Sequence, residues 1–173
     1  MSESSEAQAV SRRWGKWSDP GVPHKGWSCV GTNDLGPDEA DWQTCEMCEA
    51  MSIRYVHAMT HPDYDGQLEC GCVCAGNMEQ DLTAARHREA EMKSSARRRL
   101  AFLRLKSWRM SQRRNPWIKY HGWHVVIYPR GGGYGGRIER NGRQQVAQRV
   151  YPSADAAKLA AFDAMARAEA KGR

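Results

Sequence analysis

Six cysteines lie between Cys29 and Cys74 of a 173-residue chain, and none follows Cys74. Cys45-Glu46-Met47-Cys48 separates two of them by two residues, and Cys70-Gly71-Cys72-Val73-Cys74 gathers three more into a short run. Cysteines at a C-x2-C spacing place both sulfurs on one tetrahedral ion across a tight turn, and a second cluster about two dozen residues later closes the site. The chemistry is thiolate coordination. All-thiolate tetrahedral sites select zinc or iron–sulfur, and Zn2+ is the expected structural ion. Cys45 and Cys48 form the first pair. Cys72 and Cys74 are the expected second pair, because they lie nearest the start of the next helix, whose dipole favours a thiolate. Cys70 and Cys29 are the alternates. His57 and His61 are read first as surface or hydrogen-bonding residues and only second as ligands.

The elements that must position these residues are short. Residues 1–24 are rich in Ser, Glu, Gly and Pro, carry Arg12-Arg13-Trp14-Gly15-Lys16-Trp17, and are expected to form a flexible tail. Residues 25–77 form the expected zinc-binding module, which is too small and polar to fold without a staple. Ile53 to His57 reads as a strand, Asp63-Tyr64-Asp65-Gly66 as a turn, and Leu68 as the start of a return strand. From Met78 the apolar residues Leu82, Ala85, Met92, Ala96, Leu100 and Leu103 recur at helical spacing. A basic helix is therefore assigned to 78–115, with Asn115-Pro116 as its stop and Glu89 as a hinge candidate.

Residues 117–170 change rhythm. Gly122 to Tyr128, Tyr134 to Arg140 and Gln144 to Tyr151 read as three strands, with Asn141-Gly142 as a hairpin signal. Ser153 is placed to cap an alanine-rich helix, with Asp155 in its first turn. The fold class expected is α+β: a zinc-stapled module, a long basic helix, and a three-stranded antiparallel sheet packed by one helix.

Charge is divided unevenly. Residues 1–85 hold 5 Lys/Arg against 14 Asp/Glu, and residues 86–173 hold 21 against 6, so the overall +6 conceals two opposite halves. Between Arg86 and Lys119 there are 12 Lys/Arg and 2 Glu. A run so one-sided cannot pair internally, and its arginine forks suit phosphate oxygens. The candidates are Arg97, Arg98, Arg99, Arg104, Arg109, Arg113 and Arg114. Nucleic acid is the expected partner, DNA ahead of RNA. The acidic module is a second surface, for a protein.

The longest unbroken apolar run, Val125 to Tyr128, is too short to span a membrane, and Met1 to Val10 lacks the apolar core of a secretory signal. A cytoplasmic location is expected, where reducing conditions favour thiolate–metal chemistry over disulfides.

Cys45-x2-Cys48, Val56-His57, His61-Pro62, Asp65-Gly66, Cys72-x-Cys74 and Asn77 resemble a treble-clef zinc module and, more loosely, an HNH-type nuclease. The resemblance implies a zinc knuckle, a hairpin bearing a general-base histidine, and a helix holding the second ligand pair. His57 would be that base. Val56 stands where the family has an acidic residue, and the second cluster is spaced by one residue instead of two. Only His61, Asp63 and Asp65 lie near enough in sequence to hold a catalytic cation. The module is therefore expected to be a degenerate scaffold, with His57 catalytic only if the chain is a nuclease.

Gly122 to Ile127, Tyr134-Gly135-Gly136-Arg137-Ile138, Tyr151 to Ala157 and Phe162-Asp163-Ala164 resemble the AP2/integrase-type DNA-binding fold. That resemblance implies a three-stranded sheet laid in the major groove with the helix behind it. Arg130, Arg137, Arg140, Arg143 and Arg149 would then read the nucleic acid. The function expected is zinc-stabilised, non-enzymatic nucleic-acid binding. A protein–protein adaptor in a nucleoprotein or mobile-element system is the alternative, and an HNH-like metal-dependent nuclease comes third.

Overall fold

The computed structural model describes residues 14–171. Arg12 and Arg13 of the early basic patch lie outside the described residues. Among those described, the chain is mixed α+β, with three α-helices and several antiparallel sheets. It divides into two compact units, Met1–Ser95 and Ala96–Arg173.

The first unit holds strands Ser28–Asp34 (β1), Gln43–Thr44 (β2), Ser52–Ile53 (β3), Tyr55–His61 (β4) and Tyr64–Cys70 (β5), followed by helix Cys72–Glu79 (α1). β4 and β5 make a hairpin that turns at Pro62-Asp63, one step before the expected turn, and β1 adds to β4 on the other side. β2 and β3 pair as a two-stranded ribbon whose loop carries Cys45 and Cys48. The core is small and rich in sulfur: Trp17, Val22, Trp27, Met47, Met59, Leu68 and Met78 pack around four buried cysteines.

Of the tail expected over residues 1–24, residues 1–13 lie outside the described residues, and the described part, 14–24, is held to that core. Gly15–Ser18 form a 3-10 turn whose Trp17 is only 5% exposed. Burying an indole removes more apolar surface from water than almost any other side chain, and that holds this segment down.

The single helix expected from Met78 onward is two helices. Gln80 takes a left-handed conformation and ends α1. Asp81 then caps a new helix, Leu82–Leu103 (α2), its carboxylate accepting from Ala84 N–H at 2.8 Å. α2 stops at Leu103, well before Asn115-Pro116. The reason lies just beyond: Trp108 donates its indole N–H to the carbonyl of Phe102 at 2.7 Å, closing the chain into a turn. The division between the units falls within α2, between Ser95 and Ala96.

The second unit contains five strands, where three were expected. Arg109–Met110 (β6) and Pro116–Tyr120 (β7) precede Trp123–Arg130 (β8), Gly133–Arg140 (β9) and Arg143–Val146 (β10), and helix Ala154–Lys171 (α3) follows. The strands run in sequence order as an antiparallel meander. Three of its hairpins have two-residue loops, His121-Gly122, Gly131-Gly132 and Asn141-Gly142, and all six residues have positive φ. That backbone matches the right-handed twist of paired strands. Ser153 caps α3, as expected, accepting from Ala156 N–H at 3.1 Å.

Alternation sorts the faces. Ile118, Trp123, Val125, Ile127 and Ile138 point to α3 and pack on Ala157, Ala161 and Met165, with Phe102 sealing one end. The other face carries Trp117, Lys119, His124, Val126, Tyr128, Arg137 and Glu139. Arg99 reaches Asp163 of α3 through two bonds, Nε at 2.7 Å and Nη2 at 2.9 Å.

Candidate functional site

The β2–β3 loop is a knuckle. Cys45 N–H donates to the Met51 carbonyl and Glu49 N–H to the Cys45 carbonyl, both at 2.8 Å, so the chain reverses tightly around Cys45 and Cys48. Glu49 absorbs the reversal with a positive φ. Glu46 N–H donates to the Glu69 carbonyl at 3.0 Å, which ties the knuckle to β5 beside Cys70. Gly15 closes over it from the N-terminal side. A Cβ there would lie 2.7 Å from the Cys48 carbonyl carbon, so only glycine fits the approach.

Cys45, Cys48 and Cys74 are buried, and their sulfurs all lie within 4.8 Å of one another. Cys70 does not share that limit with all three, but it is fully buried, and the neighbouring Cys45 sulfur, ahead of burial, raises its thiol. Gly71 N–H also donates to Cys45 Sγ, at 3.4 Å. The bonds from Cys70 and Cys74 hold the Cys45 thiol far below its ordinary range. The same bonds, ahead of burial, push Cys70 and Cys74 far above theirs. Sulfurs packed within 4.8 Å of one another resist ionising together, because each thiolate repels the next. A bound cation removes that restriction, because the ion neutralises each thiolate. Trp17 Nε1 is buried without a hydrogen-bond partner and lies where it favours the Cys74 thiolate. The donor set fits a metal ion.

Of the expected ligands, Cys45, Cys48 and Cys74 are brought together and Cys72 is not. Helical geometry turns Cys72 away from Cys74, since residues two apart do not share a helix face. Cys72 instead sits half-buried beside Glu89, and burial first, then the bond to that carboxylate, push its thiol up to about 12. Cys29, the other alternate, lies on β1 and donates to the Gly31 carbonyl at 3.3 Å. The alternation that separates Cys70 from Cys72 is one of strand against helix: Cys70 is the last residue of β5 and Cys72 the first of α1.

His57 is fully buried on β4, opposite Cys70 in the register, with Nε2 3.3 Å from the Ala85 carbonyl. Burial lowers its pKa. A general base must reach the proton it takes, and His57 faces protein on all sides. His61, Asp63 and Asp65 do not converge with it. His61 stacks on Trp27 and accepts from Asp63 N–H at 3.0 Å.

The expected nucleic-acid contacts divide. Arg97, Arg98, Arg104, Arg109, Arg113 and Arg114 are exposed, the last two in the turn before β7. Arg99 is committed to Asp163. On the sheet, Arg137 lies on the open face, opposite Val126 and Val146. Arg130 lies there too but donates to the Ala147 carbonyl at 2.6 Å. Arg140 is on the helix side, where it pairs with Glu169 and covers Trp123. Arg143 stands opposite Arg140 and shares its side. Arg149 lines a groove of about 280 Å³ between β10 and α3, floored by Ala157, Ala160 and Ala161. So three of the five sheet arginines expected to share a reading surface do not.

Sequence reasoning passed over β7, and with it Trp117 and Lys119. Its signal is the aromatic and β-branched run Trp117-Ile118-Lys119-Tyr120, which lies between the expected helix end at residue 115 and the first expected strand at Gly122. Arg109 stacks 5.9 Å from the Trp117 ring centroid, and His124 meets the same ring edge-on at 5.6 Å.

Comparison with known proteins gives no match to a family model, to a curated protein or to a solved structure. No helix among the described residues is long and apolar enough to cross a membrane.

Proposed function

We propose that this chain is a zinc-stapled nucleic-acid-binding protein without catalytic activity of its own. One observation carries the reading. In the second unit Arg97, Arg98, Arg104, Arg113 and Arg114 are exposed and enter none of the ion pairs among the described residues, whose α2 members are Arg88–Glu79, His87–Glu91, Lys93–Glu89 and Arg99–Asp163. Cations left without internal partners hold a field that a polyanion neutralises. The zinc would be held by Cys45, Cys48, Cys74 and Cys70, which supply four thiolates from the knuckle, the end of β5 and the first turn of α1. Its role there is structural: a closed four-thiolate shell leaves no position for substrate. The knuckle, hairpin and short helix support the treble-clef resemblance, and the meander with α3 behind it supports the AP2-type one.

A mobility-shift titration across salt tests the binding. If those five arginines each meet a phosphate, log K falls against log salt with a slope of about −4.5 on duplex DNA and about −3.5 on a single strand. Arg113→Gln combined with Arg114→Gln is expected to reduce the slope by about 1.4 to 1.8. Failure to bind duplex DNA, single-stranded DNA or RNA at low salt overturns the proposal.

A further inference from the structure

We infer that the open face of β7–β9 is a stacking platform for unpaired bases, so that the nucleic acid this chain takes is single-stranded. The inference rests on the nucleic-acid reading above and narrows it.

Two aromatic rings lie on that face. Trp117 is half-buried, with the Arg109 guanidinium over its ring 5.9 Å from the centroid and the His124 ring set perpendicular to it at 5.6 Å. Tyr128 is the second. It stands opposite Gly135 in the register, and a Cβ at Gly135 would lie 3.1 Å from the tyrosine ring. The ring therefore lies down over the glycine backbone of β9 instead of standing up from the sheet. Trp117 stands opposite Val126, two residues from Tyr128 on the neighbouring strand. That diagonal places the two positions about 7–8 Å apart, a spacing that two splayed bases of one strand can span.

The charges around the rings are cationic, with one exception. Arg109, Lys119 and Arg137 flank them on the same face, and Glu139 is the only carboxylate among the strand residues there. Cations follow a backbone while rings take the bases, which is how single strands are held without sequence readout. A duplex offers this surface less. Its bases present only edges in a groove, and stacked rings cannot reach their faces. Arg140 and Arg143 point toward α3 and Arg149 lines the groove beside it, so three of the sheet arginines are not on this face to add to a duplex grip.

The test is fluorescence anisotropy of the full chain with labelled oligodeoxythymidylate, oligodeoxyadenylate, the corresponding RNA strands and the annealed DNA duplex. Both DNA strands are expected to bind more tightly than the duplex. The RNA arm decides between the two sources of an unpaired base. Trp117→Ala is expected to weaken single-strand binding roughly 5- to 150-fold, the range that loss of one base–aromatic stack corresponds to. Trp117→Phe should keep most of the affinity while losing the part of the tryptophan quenching that binding causes at this ring. Tyr128→Ala should weaken the strands and leave duplex affinity unchanged. Both side chains point away from the core, so far-UV circular dichroism and metal content serve as checks that the variants fold. Duplex preferred over both strands, or Trp117→Ala and Tyr128→Ala binding strands as the native chain does, overturns the platform and leaves nucleic-acid binding standing. No binding to any of the polymers overturns both.

Discussion

Replacing Cys70 with serine should release the metal, whereas the same replacement at Cys72 should leave it bound. The two residues stand on either side of Gly71, yet their surroundings differ completely. Cys70 is fully buried beside the Cys45 sulfur, while Cys72, the first residue of α1, is half-buried against Glu89. Serine keeps the shape of either side chain and removes the thiolate. A bound ion present at a thousand times its dissociation constant contributes about 4 kcal/mol to folding. In a unit of this size each kcal/mol moves the melting temperature by about 4–8 °C. Loss of the ion should therefore lower the first unit's transition by roughly 16–32 °C, and a strong chelator added to the native chain should do the same. At Cys72 no sulfur–sulfur contact is lost, so the shift should stay within a few degrees, about the size of an ordinary surface substitution. Metal content per chain by mass spectrometry and melting followed by near-ultraviolet circular dichroism give the two readouts. Metal retained in Cys70→Ser but lost in Cys72→Ser would refute the assignment of ligands. A melting curve indifferent to chelation would refute the staple itself.

Two further substitutions probe the second unit. Phe102 is 1% exposed and sits among Trp108, Tyr120 and Phe162, so Phe102→Ala should cost about 3–5 kcal/mol in a urea titration. Gly133→Ala should cost about 1–3 kcal/mol by overpacking: its Cβ would collide with the Tyr151 carbonyl oxygen and come within 2.7 Å of Val150. The displaced segment is the one that bridges Tyr134 to Tyr151 through two hydrogen bonds of 2.8 Å, so loosening there should appear in amide exchange at Tyr134 and Tyr151 before global unfolding.

Local signals were legible where the chemistry is local. The C-x2-C spacing marked the knuckle, Asn141-Gly142 marked a hairpin, and Ser153 marked the start of α3, because each depends on a few adjacent residues. Helix lengths were less so. The apolar spacing from Met78 to Leu103 continues across Gln80 and Asp81 without a glycine or proline, and the break there is made by a left-handed residue and a carboxylate cap. The end at Leu103 depends on Trp108 folding back onto Phe102, which periodicity does not contain.

The sequence by itself determined the inventory: six cysteines confined to one half, a cationic other half, and strand and helix periods that yield a mixed α+β chain. Tertiary structure decided which members of that inventory meet. Cys70 and Cys72 are alike in sequence, but one ends a strand and the other begins a helix, and only the former faces Cys45. Arg137 and Arg140 lie three apart on one strand, and the pleat sends them to opposite faces, one open and one bound to Glu169. Trp17, from a segment that reads as a tail, completes the wall around the cysteines because burying its indole releases more water than leaving it exposed. Spacing fixes what chemistry is available; the direction of each side chain, set by strand pleat and helix turn, fixes where it can be used.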